Sequence, residues 1–431
     1  MLNLRWLAWY NDVMENNAKS GFDIGLPEFD IADRKETNGD YLYILIPKDE
    51  LVRPKACPVC GGTHINIQRK ATQKVTDLYE YDHRVGLFIK GHRYICKDCG
   101  KTMGEEYPSI DGTMTVRLKD EIRRESFYKT FSELANRYSF TIPTISAIFA
   151  EEAAKKEADY VLTMPGVLGI DEVHLEKNYY GVYVSVSKDE GHIIEMTRTR
   201  SKKVVADTIR KMKDPQNLKY VTMDMWEPYK DAVREVFPDI EIIIDRFHVM
   251  KTILLELDEI RKRITKKAKD KKERKSLKNN RFLILTSSDN LAKWQRNALS
   301  ELLNNYPELE KPYMLKESFR NIYDLANSLE EAEEMYEEWI SDCCNENGEI
   351  IYFENFINTV GNWHDEIFSY FKHKDEHDKT NAQTESFNNK IKEIAGQGRG
   401  YSFEVLRAKM IFGGVKPIMK KYDFKAFELD D

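Results

Sequence analysis

No apolar run in this 431-residue chain approaches the roughly 18 to 20 residues that a membrane span requires. The first twelve residues, MLNLRWLAWYND, are interrupted by charge too early for a signal peptide, so a cytoplasmic protein with no membrane partner is expected. There is no nucleophile elbow, no P-loop and no dinucleotide fingerprint, which removes the chemistries those motifs carry. Cysteine is scarce, with six residues, and four of them fall in two Cys-x-x-Cys pairs. Uniform basicity is absent too: the net charge is −7. Charged residues at 32% and hydrophobic ones at 41% fit a globular protein, and the length implies two to four domains.

The mean charge hides strong segregation. Residues 261–281 carry twelve Lys or Arg against Asp270 and Glu273, a local excess of ten positive charges. Residues 53–101 carry ten basic and four acidic residues, whereas acids dominate from Glu330 to Glu349. Segregation of this kind is expected of a protein with one basic binding face, although either stretch alone is also compatible with a solvated helix surface.

Residues 1–50 form an N-terminal segment with one strand at 41–46, closed by Pro47. In 51–105, Cys57-Pro58-Val59-Cys60-Gly61-Gly62 and Cys96-Lys97-Asp98-Cys99-Gly100-Lys101 are two knuckles able to offer four thiolates tetrahedrally. Glycine after each knuckle lets the backbone turn. A redox pair needs only one Cys-x-x-Cys and a cytoplasmic chain has little use for disulfides, so structural Zn²⁺ on Cys57, Cys60, Cys96 and Cys99 is expected. Residues 115–160 have the cadence of a helix-turn-helix: a short helix capped by Ser132, a turn, and a second helix opened by Thr141 and Pro143. Thr144 and Ser146, small and polar near that helix start, suit major-groove contacts.

From 161 to 252 the pattern becomes strand and helix. Val167-Leu168-Gly169-Ile170 runs into Asp171, and Tyr220-Val221-Thr222-Met223 runs into Asp224. Between them, Tyr179–Val186 and His192–Met196 read as a hairpin turning at 188–191. A third short strand, Glu241–Ile244, leads into Asp245-Arg246-Phe247-His248. Three meander strands, a crossover helix and a parallel strand make an RNase H-like order, with the strand of Asp224 beside that of Asp171. Residues 253–363 read as an all-helical insertion, with an apolar stripe on Leu325, Leu329, Ala332, Tyr336, Trp339 and Cys343. Residues 364–431 return to the core and end in a tail. The expected architecture is therefore multidomain α+β: a zinc ribbon, a helix-turn-helix, and an RNase H-like α/β core interrupted by the insertion.

Strand-end aspartates give short, rigid oxygen ligands, and separated carboxylates suit two-metal phosphoryl transfer with Mg²⁺ ions roughly 3.5–4 Å apart. Asp171 and Asp224 fit because each follows an apolar strand. A third ligand is not singled out by pattern, since Asp365, Glu366, Asp375, Glu376, Glu385 and Glu393 crowd one region. Asp245 and His248 lie just past a strand and are neighbours of the same site. Trp226 is either a base-stacking or a packing residue.

At these residues the chain resembles the DDE transposases of bacterial insertion sequences, specifically the ISL-three family, over roughly residues 50–415. The knuckles match its N-terminal finger; Gly169-Ile170-Asp171-Glu172 resembles its first acid. Asp224-Met225-Trp226-Glu227-Pro228-Tyr229, followed by Asp245-Arg246-Phe247-His248, resembles its second, and Asn381-Ala382-Gln383-Thr384-Glu385 its third. The resemblance implies Asp171, Asp224 and Glu385 as catalytic ligands of two Mg²⁺ ions, with Mn²⁺ as a substitute. It implies binding of terminal inverted repeats and target DNA, strand cleavage and strand transfer, Lys390, Lys392 and Arg399 on DNA phosphates, assembly at least as a homodimer, and a nucleoid-associated location. Two rivals remain at this point: a transposase-derived DNA-binding regulator without activity, and an RNase H-like nuclease that does not join.

Overall fold

The computed structural model describes residues 24–48, 52–187, 191–268, 270–374 and 381–413, with 381–385 described as helix backbone only. Part of the hairpin turn at 188–191, the acids Asp375 and Glu376, and the tail from 414 lie outside the described residues. No described helix is long and apolar enough to cross a membrane. Contacts divide the chain after Asp159 into two compact units.

The first unit is built on a seven-stranded sheet: β1 (Phe29–Thr37), β2 (Asp40–Pro47), β3 (Ile65–Glu80), β4 (His83–Cys96), β5 (Thr102–Gly104), β6 (Ile110–Asp111) and β7 (Met114–Thr115), in the order β1-β2-β4-β3-β7-β6 with β5 on β4. The long β3–β4 hairpin turns at Tyr81 and Asp82, both at positive φ, and closes its other end with Ile65 opposite Cys96. A boundary near residue 50 therefore falls inside one sheet, because β2 pairs in parallel with β4, Tyr41 opposite Val85. Tyr43, Leu45, Leu87 and Ile89 bury the shared face. Parallel pairing across some forty residues leaves no local signal, since β2 alone reads as any half-buried strand.

Three helices complete this unit: α1 (Val116–Glu125), α2 (Phe131–Tyr138) and α3 (Ile142–Asp159). The cap of α2 is Thr130, whose hydroxyl accepts from the Glu133 amide at 3.1 Å, so the start falls two residues before the expected Ser132. Ser139 ends α2 in the left-handed conformation (φ 59°) and the chain turns directly into α3. Leu134, Ala135, Ile145 and Phe149 are buried, and Phe149 meets the rings of Phe127 and Phe131 at 4.9 and 5.1 Å.

The second unit contains β8 (Val167–Leu175), β9 (Asn178–Ser185), β10 (His192–Thr197), β11 (Tyr220–Met223) and β12 (Glu241–Ile244) in the order β10-β9-β8-β11-β12. β8, β9 and β10 are an antiparallel meander; β11 runs parallel to β8, and β12 parallel to β11. The central strands are apolar on both faces because both are covered. Leu168, Ile170, Tyr183 and Val221 pack into one core with helices α4 (Lys202–Lys211) and α5 (Glu227–Val236). Val173, Val182 and Val184 face the other way, toward Ile391, Leu406 and Met410. Gly169 sits where strands crowd: an added Cβ would meet Val186 Cγ2 at 3.1 Å and Val184 Cβ at 3.4 Å.

After β12 the chain becomes helical: α6 (Arg246–Lys267), α7 (Lys271–Asn279), α8 (Arg281–Leu285), α9 (Lys293–Asn305), α10 (Glu310–Leu325), α11 (Leu329–Cys343), α12 (Glu354–Asn362) and α13 (His364–Phe368). The helical region starts at Arg246, not 253, because Asp245 caps α6 directly after the strand. The apolar stripe is shorter than expected. α10 ends at Leu325, which is 59% exposed, and Ser328 caps a new helix whose Ala332, Tyr336, Trp339 and Cys343 are buried. Two helices, α14 (Asn381–Gly398) and α15 (Phe403–Phe412), return to the sheet, where Arg407 holds Glu195 of β10 at 2.5 and 2.8 Å.

Candidate active site and metal centre

The register of the second sheet aligns the carboxylates. Ile170 pairs with Met223 and Met223 with Ile244, so Asp171, Asp224 and Asp245 each stand one residue beyond a common line across three parallel strands. Ligands in α/β sheets gather at this carboxyl edge. Asp171 does not end its strand, contrary to the sequence expectation. β8 runs on to Leu175 because β9 still pairs with it, Asp171 opposite Val182; only the β11 side stops there.

Asp171, Asp224 and His248 offer ligand atoms that all lie within 4.8 Å of one another. His248, in the first turn of α6, places Nε2 2.5 Å from Asp224 Oδ1. Burial disfavours the His248 cation, but the hydrogen bond and charge of Asp224, with Asp245 and Asp171 behind it, raise its pKa. Asp171 is 6% exposed; burial, then the charge of Asp224, push its carboxyl up to about 7. Its Oδ1 accepts from the Glu172 amide at 2.7 Å and its Oδ2 from Asn388 Nδ2 of α14 at 2.6 Å. Asn388 Oδ1 is buried with no hydrogen-bond partner among the described residues, an open acceptor beside the pair. A cleft of about 450 Å³ opens over these groups, edged by Lys251, Asn389 and Lys392.

The other nearby acids are engaged. Glu172 is ion-paired with Arg200 and accepts from the Tyr229 hydroxyl at 3.2 Å. Asp245 Oδ1 accepts from the Phe247 amide at 2.8 Å, capping α6. Trp226 is partly buried in the core; the Arg200 guanidinium lies 4.3 Å from its ring centroid, and Tyr229 meets it edge-on at 4.6 Å. It packs. Glu385 is on the backbone of α14, one turn before Asn388, and its side chain lies outside the described residues. Lys392 reaches the cleft, whereas Lys390 and Arg399 do not line it. From sequence, Asn388 had no assigned role; its i, i+4 spacing to Lys392, which puts the two on one helix face, was the one local signal.

In the first unit, the four knuckle cysteines converge. Cys57 Sγ lies 3.6 Å from Cys99 Sγ, and Cys60 Sγ 3.7 Å from Cys96 Sγ. A tetrahedral site with bonds of about 2.3 Å has edges of roughly 3.8 Å, so the spacing fits a bound metal. Gly61 and Gly100 turn at φ +70° and +73° and donate amides to Cys57 O and Cys96 O, each at 2.9 Å. Backbone amides of Cys60 and Val59 hold the Cys57 thiol down to about 7. Cys60 moves the other way, to about 12: the Gly62 amide favours its thiolate, but Cys99, burial, Cys96 and Cys57 outweigh it. One thiolate thus suppresses the next unless a cation neutralises the set. Thr144 and Ser146 are half-buried on α3, and Thr144 Oγ1 lies 2.9 Å from the capping hydroxyl of Thr141.

Comparison with known proteins places the chain in a family. A transposase family model, that of the DDE ISL3 type, matches residues 168–410, more than half of the chain. The transposase for insertion sequence element IS1001 of Bordetella parapertussis is 23% identical over 275 residues, 62% of this chain and 67% of that protein. The matched span runs from the strand bearing Asp171 to the helices bearing Asn388 and Met410. The chain belongs to the ISL-three (ISL3) family of insertion-sequence transposases.

Proposed function

We propose that this transposase cleaves DNA at its element ends and joins the freed 3′ end to target DNA, with Asp171, Asp224 and Glu385 as the ligands of catalytic divalent metal. The register line that brings Asp171 and Asp224 to one level carries the reading. Glu385 precedes Asn388, Asn389 and Lys392 on α14 at steps of three, four and seven, a helical spacing that supports this reading. The residues present fit hard cations: the buried Asp171 carboxyl, its pKa raised by burial and by the charge of Asp224 beside it, and an open amide oxygen next to them. Mg²⁺ bound there supplies the Lewis acidity that activates a water or 3′-hydroxyl and neutralises the leaving oxygen.

The chain's own groups then orient the reaction. Asn388 locks the rotamer of Asp171, His248 that of Asp224, and Lys251 with Lys392 faces substrate phosphate across the cleft. The strand order β10-β9-β8-β11-β12 supports an RNase H-like core, and the spacing of four thiols supports a structural Zn²⁺ ribbon. The α2–turn–α3 arrangement supports a helix-turn-helix that reads the inverted repeats with the start of α3, where Thr144 and Ser146 lie. Lys390 and Arg399 are assigned to flanking phosphates, and pairing of two ends requires at least a homodimer acting on DNA in the cytoplasm.

The decisive test mixes purified protein and Mg²⁺ with a duplex ending in a pre-cleaved 3′-hydroxyl and a target plasmid. Joined product is expected. Hydrolysis without joining would identify a nuclease, and binding without chemistry a regulator.

Two further results are expected at the carboxylates. Asn388→Ala weakens Mn²⁺ binding by roughly 10- to 100-fold in calorimetry, the usual cost of losing a group that orients a ligand; unchanged affinity would remove Asn388 from that role. Asp171, with its pKa raised to about 7, must shed a proton to take a cation. Mn²⁺ affinity should therefore climb from pH 5 to 7 and level off above, with proton release measurable in buffers of different ionisation heat.

A further inference from the structure

The strongest charge feature of the chain lies outside the cleft, on α6 and α7. Of the twelve cations in 261–281, three are neutralised from within. Asp258, 3% exposed, accepts from Arg261 Nε at 2.8 Å and Arg281 Nε at 3.0 Å, and holds Lys262 Nζ at 3.3 Å. Arg261 also donates to the Leu277 carbonyl at 3.3 Å, so one buried acid ties α6, α7 and α8 together. Burial works against the Asp258 charge, but Arg261 and Arg281 keep its pKa low.

The outward cations are different. Lys271, Arg274, Lys275 and Lys278 recur at steps of three, four and seven along α7 and are exposed, opposite buried Leu277. Arg263, Lys266 and Lys267 form a second exposed stripe on α6. Among the described residues none of Arg263, Lys266, Lys267, Lys271, Lys275 or Lys278 has a carboxylate within 4.0 Å. Some surface cations elsewhere in the unit are paired, as Lys202 is with Asp231, Arg210 with Glu235 and Lys372 with Glu241, but nowhere else in it does the sequence pack cations this densely. Dense like charge is costly without a polyanion to receive it, and here it is held on a riveted helix pair.

We propose that this face binds the phosphate backbone of duplex DNA, without reading sequence, as a docking surface separate from the catalytic cleft. α7 has no apolar face of the width a membrane-lying helix needs, only Leu277, which points inward; this favours a nucleic acid over a lipid surface. α6 sets the distance. His248 stands in its first turn and Arg263 fifteen residues on, roughly 22 Å along a helix rising 1.5 Å per residue. A duplex lying along α6 meets the basic face about six or seven base pairs from the phosphate in the cleft, at 3.4 Å per pair. Choosing duplex DNA as the polyanion rests on the transposition reading; the surface itself does not.

The test uses the full chain, wild type against the triple variant Lys271→Gln, Lys275→Gln, Lys278→Gln, on a 30-base-pair duplex of arbitrary sequence at about 50 to 300 mM KCl. Each phosphate contact contributes about 0.9 to the slope of log affinity against log salt, so three lost contacts flatten it by roughly 2.7 and lower affinity roughly five-hundredfold near 0.1 M relative to 1 M salt. Equal melting temperatures show that the variant is folded. A variant with wild-type slope and affinity overturns the docking surface and leaves the transposition reading intact. A wild-type protein that binds anionic vesicles and no duplex overturns both.

Discussion

Asp224→Ala should abolish strand cleavage while leaving DNA binding in place. Asp224 is the centre of the constellation: its neighbour on one side is the buried carboxyl of Asp171, and on the other His248 at 2.5 Å. Removing it takes away a proposed metal ligand and the acceptor that holds His248. A bound metal ion is worth several kcal/mol of transition-state stabilisation, and each 1.36 kcal/mol is tenfold, so a loss of roughly a thousandfold or more is expected. A labelled duplex carrying the element end, assayed for nicks with Mg²⁺, measures it. Cleavage by the variant at the wild-type rate would rule the carboxylate site out. Substituting Glu172, which is tied to Arg200 and Tyr229, should act through folding and give a lowered melting temperature alongside any lost activity.

Metal removal from the four-cysteine cluster is the second large effect. Chelation, or Cys57→Ser, should release the knuckles and melt the nearby end of the β3–β4 hairpin, where Ile65 pairs with Cys96. Structural Zn²⁺ in small domains contributes binding free energy of roughly 10–16 kcal/mol that is also folding free energy. Cys57 and Cys96 are buried, and the four thiols have no comparable tether once the cation is gone. Hydrogen exchange should rise across 53–103 and stay low in β8, β11 and β12, with DNA binding weakened. One zinc per chain is expected in protein purified without chelator; its absence would sink the ribbon assignment.

Much of the site was legible because it depends on local pattern. Apolar runs ending at Asp171 and Asp224 marked doubly covered strands, and strand direction followed from the helices between them. The Cys-x-x-Cys-Gly spacing was equally plain, since only glycine meets the positive φ at 61 and 100 without strain. Non-local features stayed hidden. Nothing in Asp40–Pro47 announces a parallel partner at Val85–Ile89. Asp245 looked like a third strand-end acid, but its place before Phe247 also makes it a helix cap, and both descriptions hold at once. Leu325 fitted the apolar stripe by spacing alone; the break at Ala326–Ser328, set by the Ser328 cap, puts it on a different helix. Asn388 was invisible as a contributor because its role depends on Asp171, 217 positions away.

The shared register of β8, β11 and β12 also governs which changes of length this family of chains can absorb. Side chains alternate across a strand, so one residue added or lost within Tyr220–Met223 would carry Asp224 to the opposite face of the sheet, into the apolar core of Leu168 and Ile170 instead of beside Asp171. Insertions into the loops and helices after α6 carry no such penalty, because those helices pack around the sheet without setting its pairing. Length drift should therefore be free in the helices between α6 and α14 and forbidden within the four residues that precede Asp224.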